Sequence, residues 1–367
     1  MRSTPTAALQ VEMEEMPLDL RRIELSLRYW VNIIGHSQEH PARVVLKPFW
    51  EKGKKEIKTF GWEVPRVVKE MEIGETPISP TVAWSTIPLW IISQPTVDMT
   101  LLSKENKDEL KSNAQITHKY IHENYYGYVQ IYSDALKNME DKVGVAFNIP
   151  EFNVKVSKRI TDCLSIYTGE MIAILLALQW VEENKPMRTL ICSDSSSSLI
   201  TIKTCHSESR ADIMIEILQT IYRIQMMGIC VAFCWIPAHV GVKGNELADE
   251  YAKEATKKVD IDMQIKYGKS EMKCLIKQHV KNRWQKFWEE ERTGRWFYSI
   301  QRIVGKYRIV GRNRHEETIV SRHTALNSSL KRMGRHETGK CEYCNQEENV
   351  ERYNEMSKVW QGRKDTD

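Results

Sequence analysis

Residues 234–255 read CWIPAHVGVKGNELADEYAKEA. With the apolar, β-branched letters running back to Ile229, the opening of this stretch predicts a buried strand, which Pro237 ends. Ala238, His239, Gly241 and Gly244 then make a loop. Asn245 stands where a helix N-cap belongs, and Leu247, Ala248, Tyr251 and Ala255 mark one apolar helical face. Asp249 falls in the first turns of that helix, within reach of His239, where the positive end of the helix dipole favours a carboxylate.

Upstream, from Tyr128, the letters alternate: Val129, Ile131 and Tyr132 lead to Asp134, then Val143, Val145 and Phe147 alternate, and Val154, Val156 and Ile160 do so again. Three successive antiparallel strands are the economical reading. From Thr168 the period becomes helical, with Met171, Ile174, Leu175, Leu178 and Val181 on one face and Glu170 in the first turn. Thr189–Cys192 is a short strand ending at Asp194, after which Ser195–Ser198 offer N-cap hydroxyls to a helix bearing Leu199, Ile202 and Cys205. A further helix is expected over Ser209–Met227. The order βββαβααβα implies a mixed α/β sheet with helices on its faces.

Asp134, Glu170 and Asp194 fall at strand ends or a helix start, which converge at one edge of such a sheet, and Asp249 makes a fourth carboxylate. Like charges so close repel unless cations bind between them, and all-oxygen ligands suit Mg2+, with Mn2+ as its substitute. Two such ions, about 4 Å apart, activate a water for in-line attack on phosphorus and stabilise the leaving oxygen. The expected chemistry is phosphodiester hydrolysis.

The blocks YSDALK (132–137), TGEMIAILLAL (168–178), ICSDSSSSL (191–199) and IPAHVGVKGNELADE (236–250) together resemble a type 1 ribonuclease H, in the version fused to reverse transcriptases of non-LTR (LINE-like) retrotransposons. The resemblance runs from about Tyr128 to Thr256. It implies a ribonuclease H-like mixed five-stranded sheet flanked by helices, and endonucleolytic cutting of the RNA strand of an RNA·DNA hybrid. It also implies metal ligation by Asp134, Glu170, Asp194 and Asp249, with His239 assisting proton movement or product release. Telling RNA from DNA requires contacts to the 2′-hydroxyl. Ser195–Ser198 and Asn245 are the candidates, although capping explains the serines equally well. Two departures stand out: the family's first block usually continues Asp-Gly-Ser, whereas Ala135 and Leu136 follow Asp134 here, and Gly169 precedes Glu170 where related sequences often have Ala. The first bears on substrate grip, the second on the start of a helix. Ala135 and Leu136, with an incomplete zinc knuckle near the C-terminus, leave a catalytically inactive nucleic-acid-binding module as the alternative reading. Integrase-type DNA-cutting enzymes share this sheet but lack the HVGVKGNELAD block.

At 367 residues and 41% hydrophobic content the chain has room for about two domains. No uninterrupted apolar run is long enough to span a bilayer, the nearest, around Val82–Ile92, being broken by Ser85 and Pro88, and no signal-peptide pattern follows Met1, so an intracellular protein without membrane partners is expected. The eight cysteines are mostly scattered, as in reduced proteins. The net charge of +4 is unevenly spread: residues 128–258 carry 14 Lys and Arg against 16 Asp and Glu, and residues 263–340 carry 19 against 7. The downstream segment is thus the one suited to a polyanion.

Three regions follow: 1–127 as a reverse-transcriptase tail remnant and linker, 128–258 as the ribonuclease H-like domain, and 259–367 as a basic helical extension with a degenerate zinc-knuckle remnant. In the first, Leu20, Ile23, Leu27 and Trp30 form an amphipathic helix behind Pro17, and no palm-type aspartate pair of a polymerase is present. From His36 to Asn124, prolines 41, 48, 65, 77, 80, 88 and 95 argue for an irregular linker. Its tryptophans 50, 62, 84 and 90 are read as small-core anchors or base-stacking groups. Ser270–Ile300, with Leu275, Val280, Trp284, Phe287 and Trp288 among Lys and Arg, is a helix that either grips phosphates or docks on the nuclease domain. GKCEYCNQEENVERYN (339–354) resembles a retrotransposon zinc knuckle. Only Cys341 and Cys344 remain, Arg352 stands in the histidine's place, and His336 is the sole substitute, so four ligands are not completed. Expected partners are the hybrid and other components of the element, with no small-molecule cofactor.

Overall fold

The structure, a computed structural model, describes residues 5–51, 60–71, 78–80, 85–103, 114–305, 327–332, 334–341 and 344–348. The chain forms two compact units, Met1–Leu25 with Lys277–Asp367 and Ser26–Ile276. Among the described residues no helix is long and apolar enough to cross a membrane.

The larger unit is built on a six-stranded mixed sheet. Strands β1 (Thr96–Asp98), β2 (Val129–Lys137), β3 (Val143–Ile149), β4 (Val154–Ile160), β5 (Arg188–Ser193) and β6 (Cys230–Trp235) lie in the order β1-β6-β5-β2-β3-β4. The three antiparallel strands expected from the alternation are β2, β3 and β4, and β5 and β6 join β2 in parallel. The five expected strands are all present, and the sixth comes from the proline-rich segment: β1 pairs parallel with β6, from Thr96 against Ala232 to Asp98 against Cys234. Pro95 stands just outside it, where no ladder hydrogen bond is lost.

Helices α1–α4 span Thr6–Glu12, Leu18–Ile34, Pro41–Glu51 and Phe60–Glu70, followed by α5 (Thr100–Ser103) and α6 (Ala114–Asn124). The irregular linker is therefore partly helical. Pro41 is the first residue of α3, where a missing N–H costs nothing, and α3 and α4 run through Pro48 and Pro65 while packing on one another. Burial of Val64, Val67 and Val68 on α4 offsets the backbone bond that an interior proline forfeits. The amphipathic helix behind Pro17 is α2, with Leu20, Ile23, Leu27 and Trp30 all buried. The side chains of Trp50, Trp62 and Trp84 lie outside the described residues, and Trp90 is exposed.

The remaining helices are α7 (Ile166–Asn184), α8 (Ser196–Thr204), α9 (Ala211–Met226), α10 (Lys243–Ala255), α11 (Lys269–Glu290), α12 (Arg295–Ile300) and α13 (Asn327–Arg332). One face of the sheet buries Ile131, Val145, Phe147, Ile191 and Phe233 against α7 and α9. Met171 to Leu178 of α7 are all buried, which is why that helix is apolar nearly all round. The other face carries Tyr132, Leu190, Cys192, Ala232 and Cys234 under α10 and α6, represented by Ala248 and Ile121. Tyr120 and Tyr125, on α6 and just after it, donate to Asp98 Oδ2 at 2.7 and 2.8 Å and so tie that helix to the end of β1.

Helix α10 lies unusually close to the sheet. A Cβ on Gly144 of β3 would fall on the carbonyl of Ala252, and Ser157 of β4 donates to the Tyr251 carbonyl at 2.7 Å. Gly144→Ala is expected to cost about 1–3 kcal/mol by overpacking, because the obstructing atom is backbone that cannot swing away. A urea titration should show a lower midpoint with an unchanged slope.

In the smaller unit, Trp288 is buried, stacks obliquely on Phe297 with ring centroids 6.2 Å apart, and donates its indole N–H to the Gln301 carbonyl at 2.9 Å. Val280 and Trp284 are buried as well, leaving Phe287 exposed among the aromatic residues singled out in this helix. These side chains fill a core and are not presented for stacking on bases.

Candidate active site

Strand β2 pairs with β5 only from Val129 to Tyr132 and then runs on to Lys137 beside β3 alone. Asp134 therefore lies within β2, not at its end as the alternation implied, yet beyond the last rung it shares with β5. Asp194 follows the last residue of β5, which brings it alongside. Glu170 approaches from α7. That helix begins earlier than expected, at Ile166 behind the N-cap Ser165, so Glu170 lies in its second turn. Ligand oxygens of Asp134, Glu170 and Asp194 all lie within 4.8 Å of one another, and Asp134 and Glu170 are buried. Among the described residues this is the one group of His, Cys, Asp or Glu that meets this spacing; His336, Cys341 and Cys344 do not.

The electrostatics follow from burial and like charge. Burial first, then the repulsion of Asp194, lifts the Asp134 carboxyl to about 7, while the backbone N–H of Ala135, donating at 2.7 Å, pulls it down. Glu170 is raised well above the carboxylate range by burial and by Asp134 and Asp194. Asp194 is raised by burial, against the opposing influence of Asn245 and His239. One oxygen of Glu170, Oε2, is buried with no hydrogen-bond partner. Three clustered carboxylates, one with a bare buried oxygen, are the chemistry of a hard divalent cation site, so the residues present fit such a metal.

The other expected residues surround this trio. Asp249, half-buried on α10, adds its charge to the repulsion on Asp134 and Asp194 but stands outside the 4.8 Å group. His239 is exposed, with φ 55 in the loop after β6, and its charge opposes the rise at Asp194. Asn245 is not an N-cap. Helix α10 starts at Lys243, so Asn245 is its third residue, buried, and donates from Nδ2 to Asp194 Oδ2 at 3.0 Å while its own Oδ1 stays unpartnered. Ser195 is the N-cap of α8 but makes no side-chain cap bond; its hydroxyl donates to Ser198 Oγ at 2.8 Å. A contributor missed in the sequence is Trp235, whose indole N–H donates to the Asp194 carbonyl at 3.0 Å.

Residues 127–257 match the family described as RNase H. They carry an RNase H domain. Domains of this kind hydrolyse the RNA strand of RNA·DNA hybrids and use divalent metal ions. The match ends where α10 ends, and β1, α6 and α11 lie outside it.

Ala135 and Gly169, from the two departing blocks, meet at one contact. Ala135 is buried toward α7, and a Cβ on Gly169 would sit 2.9 Å from the Ala135 Cβ and 3.3 Å from Val143. The bare glycine on the helix leaves room for the Ala135 methyl on the strand, next to Asp134 and Glu170 in the chain. Gly169 thus does more than weaken a helix. Gly169→Ala alone is expected to destabilise by about 1–3 kcal/mol, and adding Ala135→Gly should recover at least about 1 kcal/mol of it. A double-mutant cycle by denaturant unfolding reads the coupling, and simple additivity would refute it.

The raised carboxyls also set a pH dependence. With Asp134 near 7 when folded and near 4 when unfolded, the folded metal-free chain holds the extra proton between those values. This contribution to stability is present in full below about pH 4 and is lost as the pH rises through about 7. Asp134→Asn should therefore gain stability relative to the parent chain as the pH is raised from 5 to 8. Mg2+ should raise the parent's melting temperature more at pH 8 than at pH 5, as differential scanning calorimetry would show.

Proposed function

We propose that the chain is a metal-dependent endonuclease that cuts the RNA strand of RNA·DNA hybrids, using two divalent cations, Mg2+ or in its place Mn2+. The observation that carries the reading is the cluster of Asp134, Glu170 and Asp194, whose ligand oxygens lie within 4.8 Å of one another and in which Glu170 keeps a buried, partnerless oxygen. These three residues would hold the cations, with Asp249 supplying charge from α10. Ions so held activate a water and steady the charge that develops on the leaving oxygen. Asn245 keeps Asp194 turned toward the site through its amide. Its free Oδ1, together with the Ser195 hydroxyl, is assigned to the RNA 2′-hydroxyl. His239, exposed on its loop, moves a proton between the site and solvent through its imidazole.

The same reading derives the chain from a non-LTR retrotransposon protein, with 1–127 as the tail of its polymerase, 128–258 as the nuclease and 259–367 as a basic extension whose Cys341 and Cys344 are a knuckle remnant. A catalytically inactive nucleic-acid-binding module is the alternative, resting on Ala135, Leu136 and the incomplete knuckle, and the burial of Ala135 beside Gly169 bears on the first of these alone.

The test is incubation of the chain with labelled RNA·DNA hybrid and Mg2+, beside double-stranded RNA, double-stranded DNA and an EDTA control. EDTA-sensitive cutting confined to the RNA of the hybrid is expected. Asp194→Asn should reduce it to background with the circular dichroism spectrum unchanged, and retained cutting would refute the site.

A further inference from the structure

The segment that follows α10 does not leave the larger unit. Met263 bridges to Ile160, the Ile265 N–H donates to Thr161 Oγ1 at 2.7 Å, and the Tyr267 hydroxyl donates to the Asp162 carbonyl at 2.7 Å. The path delivers Glu271, in the first turn of α11, to the N-terminus of α7. There the Glu271 carboxylate is buried and fully engaged. Oε1 accepts from the Ser165 N–H at 2.9 Å, from the Ser165 hydroxyl at 2.9 Å and from the Thr168 hydroxyl at 2.6 Å. Oε2 accepts from the Gly268 N–H at 2.7 Å and from Arg210 Nη1 at 3.2 Å. Arg210, only 2% exposed, is itself held by both oxygens of Asp212.

A helix N-terminus leaves its first N–H groups without partners, and a carboxylate there satisfies them and the dipole together. Here that carboxylate comes from more than a hundred positions downstream, and it grips Thr168, two residues before Glu170. At the next residue, Gly169 lies close against Ala135. Helix α7 is thus held by two separate contacts at the turn that presents Glu170.

We propose that Glu271, outside the residues matched to the RNase H family, is a positioning residue for Glu170: by pinning Thr168 and Ser165 it sets the turn of α7 that completes the cation site. The proposal rests on the reading of the carboxylates as that site. It makes the segment after residue 257 part of the catalytic unit.

The experiment is a calorimetric titration of the full chain with Mg2+, with kcat and KM on the hybrid measured alongside. Glu271→Ala is expected to weaken Mg2+ binding by about tenfold and to lower kcat while leaving KM unchanged. Glu271→Gln, which keeps an acceptor toward Ser165 and Thr168, should restore part of both. Thr168→Val, which removes one contact and leaves the Arg210 pair in place, should give a smaller loss of the same kind and serves if Glu271→Ala fails to fold. Equal Mg2+ affinity and kcat in folded variants, or a change confined to KM, would overturn the proposal. A parent chain that binds no Mg2+ would overturn the reading of the carboxylates, and the proposal with it.

Discussion

Three carboxyl groups held within 4.8 Å, two of them buried, are the constraint around which the larger unit is arranged. At that spacing, each fully charged pair repels by about 3 kcal/mol at an effective dielectric of about 20. A fold of ordinary stability tolerates this only if the groups sit on elements that cannot relax apart, or if protons or cations offset the charge. The rigid elements are central ones: β2 in mid-sheet and α7 with its unbroken buried run from Met171 to Leu178. The raised carboxyls of Asp134 and Glu170 are the protonic form of the same compensation.

The polar neighbours of the site are placed by backbone geometry as much as by side-chain chemistry. Helix α10 brings Asn245 to Asp194 because Gly144 and Ser157 let it settle on β3 and β4. Trp235, the last residue of β6, reaches the Asp194 carbonyl across the β5–β6 pairing, whose final rung joins Ser193 to Trp235. Asp134 and Asp194 are thus positioned by the sheet and Glu170 by the helix packed on it. A shift in any one layer would change the distances among them.

Much of this was legible in the sequence, and what was not shares a physical cause. Strands β2 to β6 and helices α7, α9 and α10 announce themselves by sustained apolar periodicity, and Asp134, Glu170 and Asp194, singled out on them, come together in one cluster. Three residues behind a proline carry no such period, so β1 was invisible, and helices α3 and α4 were hidden by prolines that packing overrides. Asn245 was misplaced because the glycines before it suggested a loop, whereas Gly244 is already helical. The contact of Ala135 with Gly169, and the reach of Glu271 to Ser165, join residues far apart in the chain, and such contacts leave no local pattern to read. The basic, tryptophan-rich helix from Lys269 to Glu290 left phosphate gripping and docking both open in its composition, and Trp284 and Trp288 are buried.

Strand β1 has a consequence for how the domain can be handled and how it evolved its borders. By lying along β6 it caps what would otherwise be an open rank of backbone donors and acceptors, and through Asp98 it draws α6 across Leu190, Cys192, Ala232 and Cys234. A polypeptide trimmed to the family boundary at residue 127 would lose both covers at once, presenting an unpaired strand edge beside bare apolar surface, the combination that templates self-association. A piece that keeps both covers therefore starts at or before Thr96, about thirty residues ahead of the family match.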